Sequence, residues 1–371
     1  MTGKLAGSLG MARPKHVLVC CCAVLIAAVP ATRDAVCGTI AEASRPSVAP
    51  VLRTVLPAVV NIATRKIEKI DSILLRDPVM RELLDIPEQS LRRETQAAGS
   101  GVIVDAARGY VLTNDHVVKG ASLIEIATKD NRRFKAQLVG RDQATDIALL
   151  RIKPDNLVAI PMGDSNSLEV GDFVLAIGNP FGLGQTVTSG IISALGRTGL
   201  GIDGYEDFIQ TDASINPGSS GGALVTLDGR LAGINTAILS KTGGNVGIGF
   251  AVPVNMAQLV MAQLIANGEV RHGRIGVTLR TPESPGLEGA LIDKVDSQSP
   301  AARAGLSKGD LVTFANGVPI KTSSQFRNLV GLLPVGTEID VRYRRGAELA
   351  VAKVKIEHST PKPSAPRAEA E

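Results

Sequence analysis

The sequence has little aromatic content and no tryptophan. Phe and Tyr make up 3% of its 371 residues, whereas apolar residues make up 44% and glycine occurs 39 times. A chain with this much apolar content is not disordered over most of its length, and the many glycines favour short strands joined by tight turns. Since the length exceeds what one ordinary domain needs, we expect a mainly β chain with one larger and one smaller domain.

The sequence also lacks a large excess of charge of either sign. The 40 Lys and Arg residues nearly balance 36 Asp and Glu residues, which leaves a formal net charge of +4. A nucleic-acid surface needs basic residues clustered on one face, and the basic residues here are dispersed. The sequence therefore predicts no DNA or RNA partner.

The N-terminal apolar run is shorter than the roughly 20 residues that a membrane-spanning helix needs. It extends from Val17 to Val29, follows three basic residues and precedes small residues around Ala31. This pattern predicts a signal peptide over residues 1–31, with an uncleaved membrane anchor as the alternative. The chain is therefore expected in the periplasm or elsewhere in the cell envelope.

Cysteine is rare, and its positions exclude a disulfide framework. Cys20, Cys21 and Cys22 lie in the export segment, which leaves only Cys37 after cleavage. One cysteine cannot form an intramolecular disulfide, so the mature chain must be stabilised by its hydrophobic cores. Cys37 is predicted to be an incidental thiol, with lipid attachment or an intermolecular bond as alternatives.

Composition divides the exported chain into segments. We predict a linker at 32–50, a first domain at 51–268 with a long surface loop at 64–98, a second domain at 274–356 and a disordered tail at 357–371. Turn residues separate short β-type runs in the first domain, as a barrel or sandwich requires. These runs are Val102–Val104, Tyr110–Thr113, Ile147–Ile152, Phe173–Ile177, Val187–Ile192, Leu231–Ile234 and Gly247–Val252.

Helices are predicted at the end of the first domain and within the second. Asn255 is a suitable N-cap for a helix through Ala266, with Gly268 just past its end. In the second domain, Ser299-Pro300 predicts the start of a short helix, and Ser323–Leu332 predicts a longer one.

Small residues crowd around two serines in the sequence NPGSSGGAL, residues 216–224. A nucleophilic serine needs an exposed hydroxyl and close backbone N–H groups that bind the oxyanion. In the acyl-transfer template these donors are the N–H of the nucleophile and the N–H two residues earlier. Ser220 would pair with Gly218, but Ser219 would need Pro217, which has no N–H. Ser220 is the predicted nucleophile, although a plain glycine-serine turn explains the bare string equally well.

The four histidines leave a narrow choice of general base. His16 lies in the export segment and His358 in the tail. His116 ends a β-type run, in the sequence VLTNDHVV, where a strand would present it at a cleft. His272 follows the predicted closing helix and is expected to be an exposed linker residue. His116 is therefore the predicted base.

Asp146 is the predicted carboxylate that orients His116. It leads directly into the strand-like sequence IALL, where a buried acid needs a partner such as an imidazole N–H. Asp115 is expected to point across the strand from His116, and Asp142 is expected to lie in a polar turn. The chain order His, Asp, Ser is that of chymotrypsin.

Two other functions remain open at this point. The string GSSGG matches the serine turn of α/β-hydrolases, but that fold needs Asp and then His after the serine and repeated strand-helix units. The second alternative is a holdase or peptide sensor without catalysis.

The sequence resembles the HtrA/Deg family of serine proteases. The resemblance extends from about Val48 to Ile356 and rests on TNDHVV, TDIALL, AIGNPFGLGQTVTSGIISALGR, FIQTDASINPGSSGGALV and GINTAI. It implies a trypsin-like double β-barrel followed by one PDZ domain, homotrimers, no cofactor or metal, and cleavage of unfolded or misfolded envelope proteins. The single PDZ domain resembles the stress-sensing or simpler members of the family. The family usually has Asn where this chain has Ser219, a change that main-chain oxyanion donors should tolerate.

The resemblance also implies the role of a loop in the second domain. Arg274, Ile275, Gly276 and Val277 would form the PDZ loop that binds the carboxylate of a peptide C-terminus while the peptide adds as a strand.

Substrate preference is predicted from residues near Ser220. Ser214 stands where a trypsin-like enzyme would place an acid to bind Lys or Arg, so a basic preference is not expected. Together with Ile215, Thr236 and Ile238 it predicts a small aliphatic pocket and cleavage after Val, Ile or Ala.

Overall fold

The computed structural model of the chain describes residues 47–69, 92–179, 184–198, 204–238, 246–282 and 286–358. The predicted signal peptide or anchor, Cys37 and most of the predicted linker and tail lie outside the described residues. Among the helices in these ranges, none is both long enough and apolar enough to cross a membrane.

The described chain begins with a short helix that starts in the last two residues of the predicted linker. Helix α1 (Ala49–Val55) carries Pro50 in its first turn, where the fixed φ of proline suits a helix and its missing N–H costs nothing. A 3-10 turn, Leu56–Ala58, leads into the first strand. The ordered segment therefore starts slightly earlier than the predicted boundary at residue 51.

Seven antiparallel strands form the first sheet, in the order β5-β4-β1-β2-β3-β7-β6. Neighbouring residues of β3 point to opposite faces, and both faces are buried. Val111 packs in the sheet's own core, whereas Leu112 packs in a core shared with the next barrel. The bounds are β1 Val59–Lys69, β2 Arg92–Asp105, β3 Tyr110–Thr113, β4 Leu123–Ala127, β5 Arg133–Lys135, β6 Gln137–Asp142 and β7 Ile147–Arg151, with a short helix α2 (Asp115–Val118) after β3.

The first two strands are longer than predicted. They pair without interruption from Val59 opposite Val102 to Lys69 opposite Arg92, so the predicted loop at 64–98 is wrong at both ends. The sequence of this ribbon does not show the alternation of apolar and polar residues that indicates a strand. The reason is that consecutive residues are exposed, as at Arg65, Lys66 and Ile67. Residues 70–91, between the two strands, lie outside the described residues.

Six further strands close into a barrel in the order β10-β13-β12-β11-β8-β9. Leu175 and Ile177 of this barrel contribute to the core shared with the first sheet, so the two units pack face to face. The bounds are β8 Phe173–Gly178, β9 Thr186–Arg197, β10 Phe208–Thr211, β11 Ala223–Thr226, β12 Leu231–Ile238 and β13 Gly249–Pro253.

Helix α3 (Val254–Asn267) follows the barrel, as predicted, but its cap differs. Pro253 is the N-cap, and Asn255 lies in the first turn. The Asn255 side chain is used elsewhere, because its Oδ1 accepts a hydrogen bond from the N–H of Ser165 at 3.1 Å. Gly268 ends the helix with φ +74°, which confirms the predicted stop.

The second domain is a small α+β unit with its own core around Phe326 and Val341. Its sheet has the order β15-β16-β17-β19-β20, and β18 pairs with β17. Glu357 and His358 pair with Gly273 and Arg274, so the domain extends two residues into the predicted tail. The bounds are β14 Gly273–Arg274, β15 Val277–Arg280, β16 Ala290–Val295, α4 Pro300–Arg303, β17 Leu311–Ala315, β18 Val318–Pro319, α5 Ser323–Leu332, β19 Glu338–Arg345, β20 Glu348–Lys355 and β21 Glu357–His358.

Candidate active site

His116 lies in helix α2, directly after β3, and its side chain remains 50% exposed. Its Nδ1 lies 2.9 Å from Oδ1 and 2.8 Å from Oδ2 of Asp146. The backbone N–H of His116 also donates to Oδ1 of Asp146, at 3.0 Å. With Nδ1–H donating to the carboxylate, the lone pair of Nε2 is left to accept a proton.

Asp146 lies in the turn between β6 and β7, with φ +56°. This left-handed conformation is uncommon for a residue with a side chain and is held here by tertiary contacts. The Asp146 carbonyl accepts hydrogen bonds from the Asp115 N–H at 3.1 Å and from Nδ2 of Asn114 at 2.9 Å. The turn is thereby fixed to the segment that carries His116.

Ser220 and Asp146 share one neighbour, Thr236 of strand β12. The Thr236 hydroxyl donates to Oδ2 of Asp146 at 2.6 Å, and the Thr236 carbonyl accepts from Oγ of Ser220 at 2.7 Å. The three predicted catalytic residues thus lie in one hydrogen-bonded cluster, in which Ser220 bonds to Thr236 rather than to His116. Catalytic hydrogen bonds often form only when substrate is bound.

The turn before Ser220 leaves two backbone donors unused. The N–H groups of Ser219, Gly221 and Gly222 donate to backbone carbonyls, at 2.8 to 3.0 Å. In the described part of the chain, the N–H groups of Gly218 and Ser220 donate to none. Gly218 has a φ of +93°, a backbone conformation that glycine adopts more readily than residues with a side chain. These two free N–H groups are the pair that the sequence predicted for the oxyanion.

The residues predicted for the specificity pocket differ in how far they are buried. Ile215 is buried in the core of the closed barrel, and the buried Thr236 directs its hydroxyl to Asp146. Both side chains are buried, so their contribution to a specificity pocket stays a prediction. Ser214 is exposed, and the side chain of Ile238 lies outside the described residues.

The predicted carboxylate-binding loop joins β14 to β15 and borders a cavity of about 450 Å³. Ile275 is buried, and Gly276 has φ +77°, with Ser299 so close that a Cβ would clash. Strand β15 lies at the edge of its sheet and faces helix α5 across the cavity. An edge strand beside a cavity suits strand addition by an extended peptide. The lining includes Arg274, Ile275, Gly276, Val277, Leu279, Phe326, Arg327 and Val330.

Comparison with known proteins agrees with this geometry. Residues 99–234 match the model of a trypsin-like peptidase domain, and residues 273–356 match that of a PDZ domain. The periplasmic pH-dependent serine endoprotease DegQ of Escherichia coli is 44% identical over 332 residues, which cover 86% of this chain and 72% of that protein. The chain belongs to the HtrA/Deg family. Its mainly β fold is accordingly a trypsin-like protease domain followed by one PDZ domain.

Other HtrA/Deg proteins extend the comparison. The periplasmic serine endoprotease DegP of Salmonella typhimurium is 48% identical over 278 residues, covering 72% of this chain, but the match spans only 58% of that relative. Two solved structures titled HtrA-type protease AlgW, one with a tripeptide and one with a decapeptide, are each 41% identical to this chain. The first covers 86% of this chain and 99% of its own, with a TM-score of 0.64. The second covers 85% and 100%, with a TM-score of 0.62.

Ser219, which precedes the predicted nucleophile, lies in a tight space. Ser219 is buried, and a Cβ added to Gly178 would lie 2.7 Å from its Cα and 2.8 Å from its Cβ. A small residue at 219 and a glycine at 178 therefore fit together beside the predicted nucleophile, Ser220.

Sequence reasoning missed a second histidine-carboxylate pair. Nε2 of His272 lies 2.9 Å from Oδ1 of Asp142, and the His272 ring stacks on Tyr205 with centroids 4.6 Å apart. His272 is therefore not an exposed linker residue, and Asp142 is buried at the end of β6. No local pattern predicts this pair, because the two residues are far apart in sequence and meet only where the PDZ domain joins the protease domain.

Asp115 also differs from the prediction. It lies at the start of α2, is buried and forms an ion pair with Nη1 of Arg141 at 2.8 Å. Burial raises the pKa of Asp115, and the neighbouring Arg141 opposes that shift. Asp115 thus connects the start of α2 to Arg141 of β6 and does not compete with Asp146 for the imidazole.

Proposed function

We propose that this chain is an exported serine endopeptidase with Ser220 as nucleophile, His116 as general base and Asp146 as the orienting carboxylate. The observation that supports this proposal is the continuous set of contacts from His116 through Asp146 and Thr236 to Ser220. It lies beside two unused N–H donors, a combination that a purely structural turn does not need.

In the proposed reaction, the Ser220 hydroxyl leaves the Thr236 carbonyl and donates to Nε2 of His116. Oγ then attacks the scissile carbonyl while Nε2 takes the proton, and Asp146 stabilises the resulting imidazolium. The oxyanion binds to the N–H groups of Gly218 and Ser220. The imidazolium protonates the leaving amine, and water hydrolyses the acyl-enzyme by the same steps in reverse order.

The substrates we propose are unfolded or misfolded proteins of the periplasm, with C-terminal peptides binding at the PDZ loop. The absence of an acid at Ser214 supports cleavage after Val, Ile or Ala rather than after Lys or Arg. We also infer export directed by residues 1–31, as a signal peptide or an inner-membrane anchor, and assembly into homotrimers. These inferences rest on the N-terminal sequence pattern and on the family.

Two observations support a second function, that of a regulatory protease gated by its PDZ domain. Ser220 bonds to Thr236 rather than to His116, and Tyr205 of the protease domain lines the PDZ cavity. A peptide entering that cavity would contact both domains at once. If so, a C-terminal peptide selected for PDZ binding should increase kcat, and a chain whose kcat is unaffected by saturating peptide is not gated in this way.

Labelling with a fluorophosphonate tests the nucleophile and its activation together. Peptide mapping should place the label on Ser220, and Ser220→Ala should abolish both labelling and the degradation of an unfolded protein, with kcat lower by roughly 10⁴-fold or more. Equal degradation by wild type and Ser220→Ala would contradict the endopeptidase and support a holdase. Mapping of the label to Ser219 would contradict the assignment of Ser220.

A further inference from the structure

Ser100, in strand β2 of the first sheet, contacts both residues of the proposed oxyanion site. It is fully buried, although burial of a serine hydroxyl does not by itself stabilise a strand. Its N–H donates to the carbonyl of Ser220 at 2.8 Å, and its Oγ donates to the carbonyl of Gly218 at 2.7 Å. Ser100 therefore holds the carbonyl groups of the same two residues whose N–H groups are unused.

The Ser100 hydroxyl has a second contact. Its Oγ accepts a hydrogen bond from the N–H of Asn179 at 2.8 Å, at the end of β8. The hydroxyl proton is thereby directed to Gly218, because the lone pair faces Asn179. One buried hydroxyl thus connects strand β2, the end of β8 and the turn before the nucleophile.

The Ser100 carbonyl extends these contacts toward the base. It accepts a hydrogen bond from Oγ1 of Thr113 at 2.8 Å, and Thr113 is the last residue of β3, three residues before His116. Ser100 is therefore hydrogen-bonded both to the turn with the nucleophile and to the strand that leads to the base. The base and nucleophile come from different units, so their relative position depends on contacts of this kind.

We propose that Ser100 is a positioning residue that sets the geometry of the oxyanion site. Gly218 has no side chain to restrict its rotation, and its φ of +93° is accessible to glycine together with several alternatives. The hydrogen bond from Ser100 Oγ selects among them, since rotation of the Gly218 carbonyl would leave the buried Ser100 hydroxyl without an acceptor. Ser100 touches no reacting atom and acts only through Gly218 and Ser220.

This inference rests on the proposed function and predicts a defect specific to the transition state. Ser100→Ala should lower kcat for a fluorogenic peptide by about tenfold, the effect of one lost buried hydrogen bond, while KM stays within about twofold. The rate of labelling by a fluorophosphonate, whose phosphoryl oxygen occupies the same N–H pair, should fall by the same factor. Ser100→Cys, which keeps a weak donor at this position, should recover part of both rates.

Ser165→Ala is the matched control. Ser165 is also buried, and its Oγ accepts the N–H of Asn255 at 3.2 Å in a part of the protease domain without catalytic residues. We expect Ser165→Ala to leave kcat and labelling within about twofold. A folded Ser100→Ala chain with unchanged kcat, or an equal loss in Ser165→Ala, would overturn the inference.

The two proposals fail in different ways. A wild-type chain that takes no fluorophosphonate label contradicts the proposed function and the role of Ser100 with it. A wild type that is labelled at Ser220, with Ser100→Ala labelled at the same rate, contradicts only the role of Ser100. If Ser100→Ala does not fold, Ser100→Gly replaces it, and equal labelling of folded Ser100→Gly and the wild type again overturns the inference.

Discussion

The protein contains two histidine-carboxylate pairs with nearly the same separation and very different surroundings. His116 and Asp146 lie 2.8 Å apart, and His272 and Asp142 lie 2.9 Å apart. In both pairs a threonine hydroxyl also donates to the carboxylate, from Thr236 at 2.6 Å and from Thr145 at 2.7 Å. The bond between imidazole and carboxylate therefore does not by itself identify His116 as the histidine that we propose as general base.

The other ring nitrogen distinguishes the two pairs. His116 uses Nδ1 for its carboxylate and stays 50% exposed, which leaves Nε2 available to a nucleophile. His272 uses Nε2, and its Nδ1 is buried without a partner among the described residues. The His272 ring also packs against Tyr205, so it supports the contact between domains and offers no site for a substrate.

Substitution of each histidine is the strongest test of this comparison. His116→Ala should lower kcat/KM by roughly 10⁴-fold, because it removes the proposed general base. His272→Ala removes one hydrogen bond and a ring contact at the domain junction, so its effect should stay below about tenfold. Steady-state cleavage of one fluorogenic peptide measures both variants, and a larger loss for His272→Ala would reverse the roles assigned here.

The carboxylate of Asp207 lies in different surroundings from those of Asp146 and Asp142. One oxygen of Asp207, next to Tyr205 and Glu206, is buried without a hydrogen bond in the described structure, and burial raises the pKa of Asp207 to about 7. Its folded pKa lies above the ordinary value of 3.8, so the folded state binds more protons between these values and the free energy of unfolding should fall as pH rises from about 4 to 7.

Asp207→Asn should remove this pH dependence. It should raise the free energy of unfolding at pH 8 by as much as about 4 kcal/mol, and change it little at pH 4. Urea unfolding at both pH values measures the effect, with the exposed Asp155→Asn as the control that should change neither. A variant that is less stable than the wild type at pH 8 would show that the Asp207 carboxylate is stabilised by contacts.

The two threonines test whether the carboxylate contact matters equally in both pairs. Thr236→Val removes the hydroxyl from Asp146 and should lower kcat by about 10- to 100-fold, the effect of losing a hydrogen bond to a charged group. Thr145→Val removes the corresponding hydroxyl from Asp142 and should change kcat less than about threefold. Thr236→Ser should retain activity, and equal losses in the two valine variants would show that both turns act as one unit.

The smallest effect is expected at the aromatic neighbour of the second pair. Tyr205→Ala removes the ring that stacks on His272 and lines the PDZ cavity. We expect it to weaken binding of a C-terminal peptide selected against the wild type by about two- to tenfold, the usual contribution of an aromatic contact. Isothermal titration of both chains measures the change, and unaltered affinity would remove Tyr205 from the peptide site.

The sequence alone predicted residues whose local chemistry is distinctive. Pro217 argues against Ser219 as nucleophile, and the strand-like runs beside His116 and Asp146 indicate a strand end and a strand start, so these proposed assignments need only short-range reasoning. The partners of Thr236 and Ser100 were not predictable. Their hydrogen bonds join residues that are 90 and 118 positions apart in the chain, and no pattern within a single strand encodes such contacts.

Features that the sequence did not predict also depend on contacts between segments that are distant in the chain. The ribbon formed by β1 and β2 is held by backbone pairing beyond Thr64, and its polar side chains resemble those of a loop. The sequence also did not predict that Ile215, next to the exposed Ser214, is buried in the closed barrel beneath Gly249. Burial of this kind depends on how the sheet closes, which the periodicity of one segment does not determine.

Tyr205 gives the PDZ cavity a wall from outside the PDZ domain. A fragment made of residues 273–358 would keep strand β15 and helix α5 but lose that wall, together with the hydroxyphenyl ring that covers Gly331. Ligands selected on the excised fragment would thus be chosen against a wider and more solvated opening than the one a peptide meets in the whole chain. Screening for ligands of this protein should use the intact chain with Ser220 replaced.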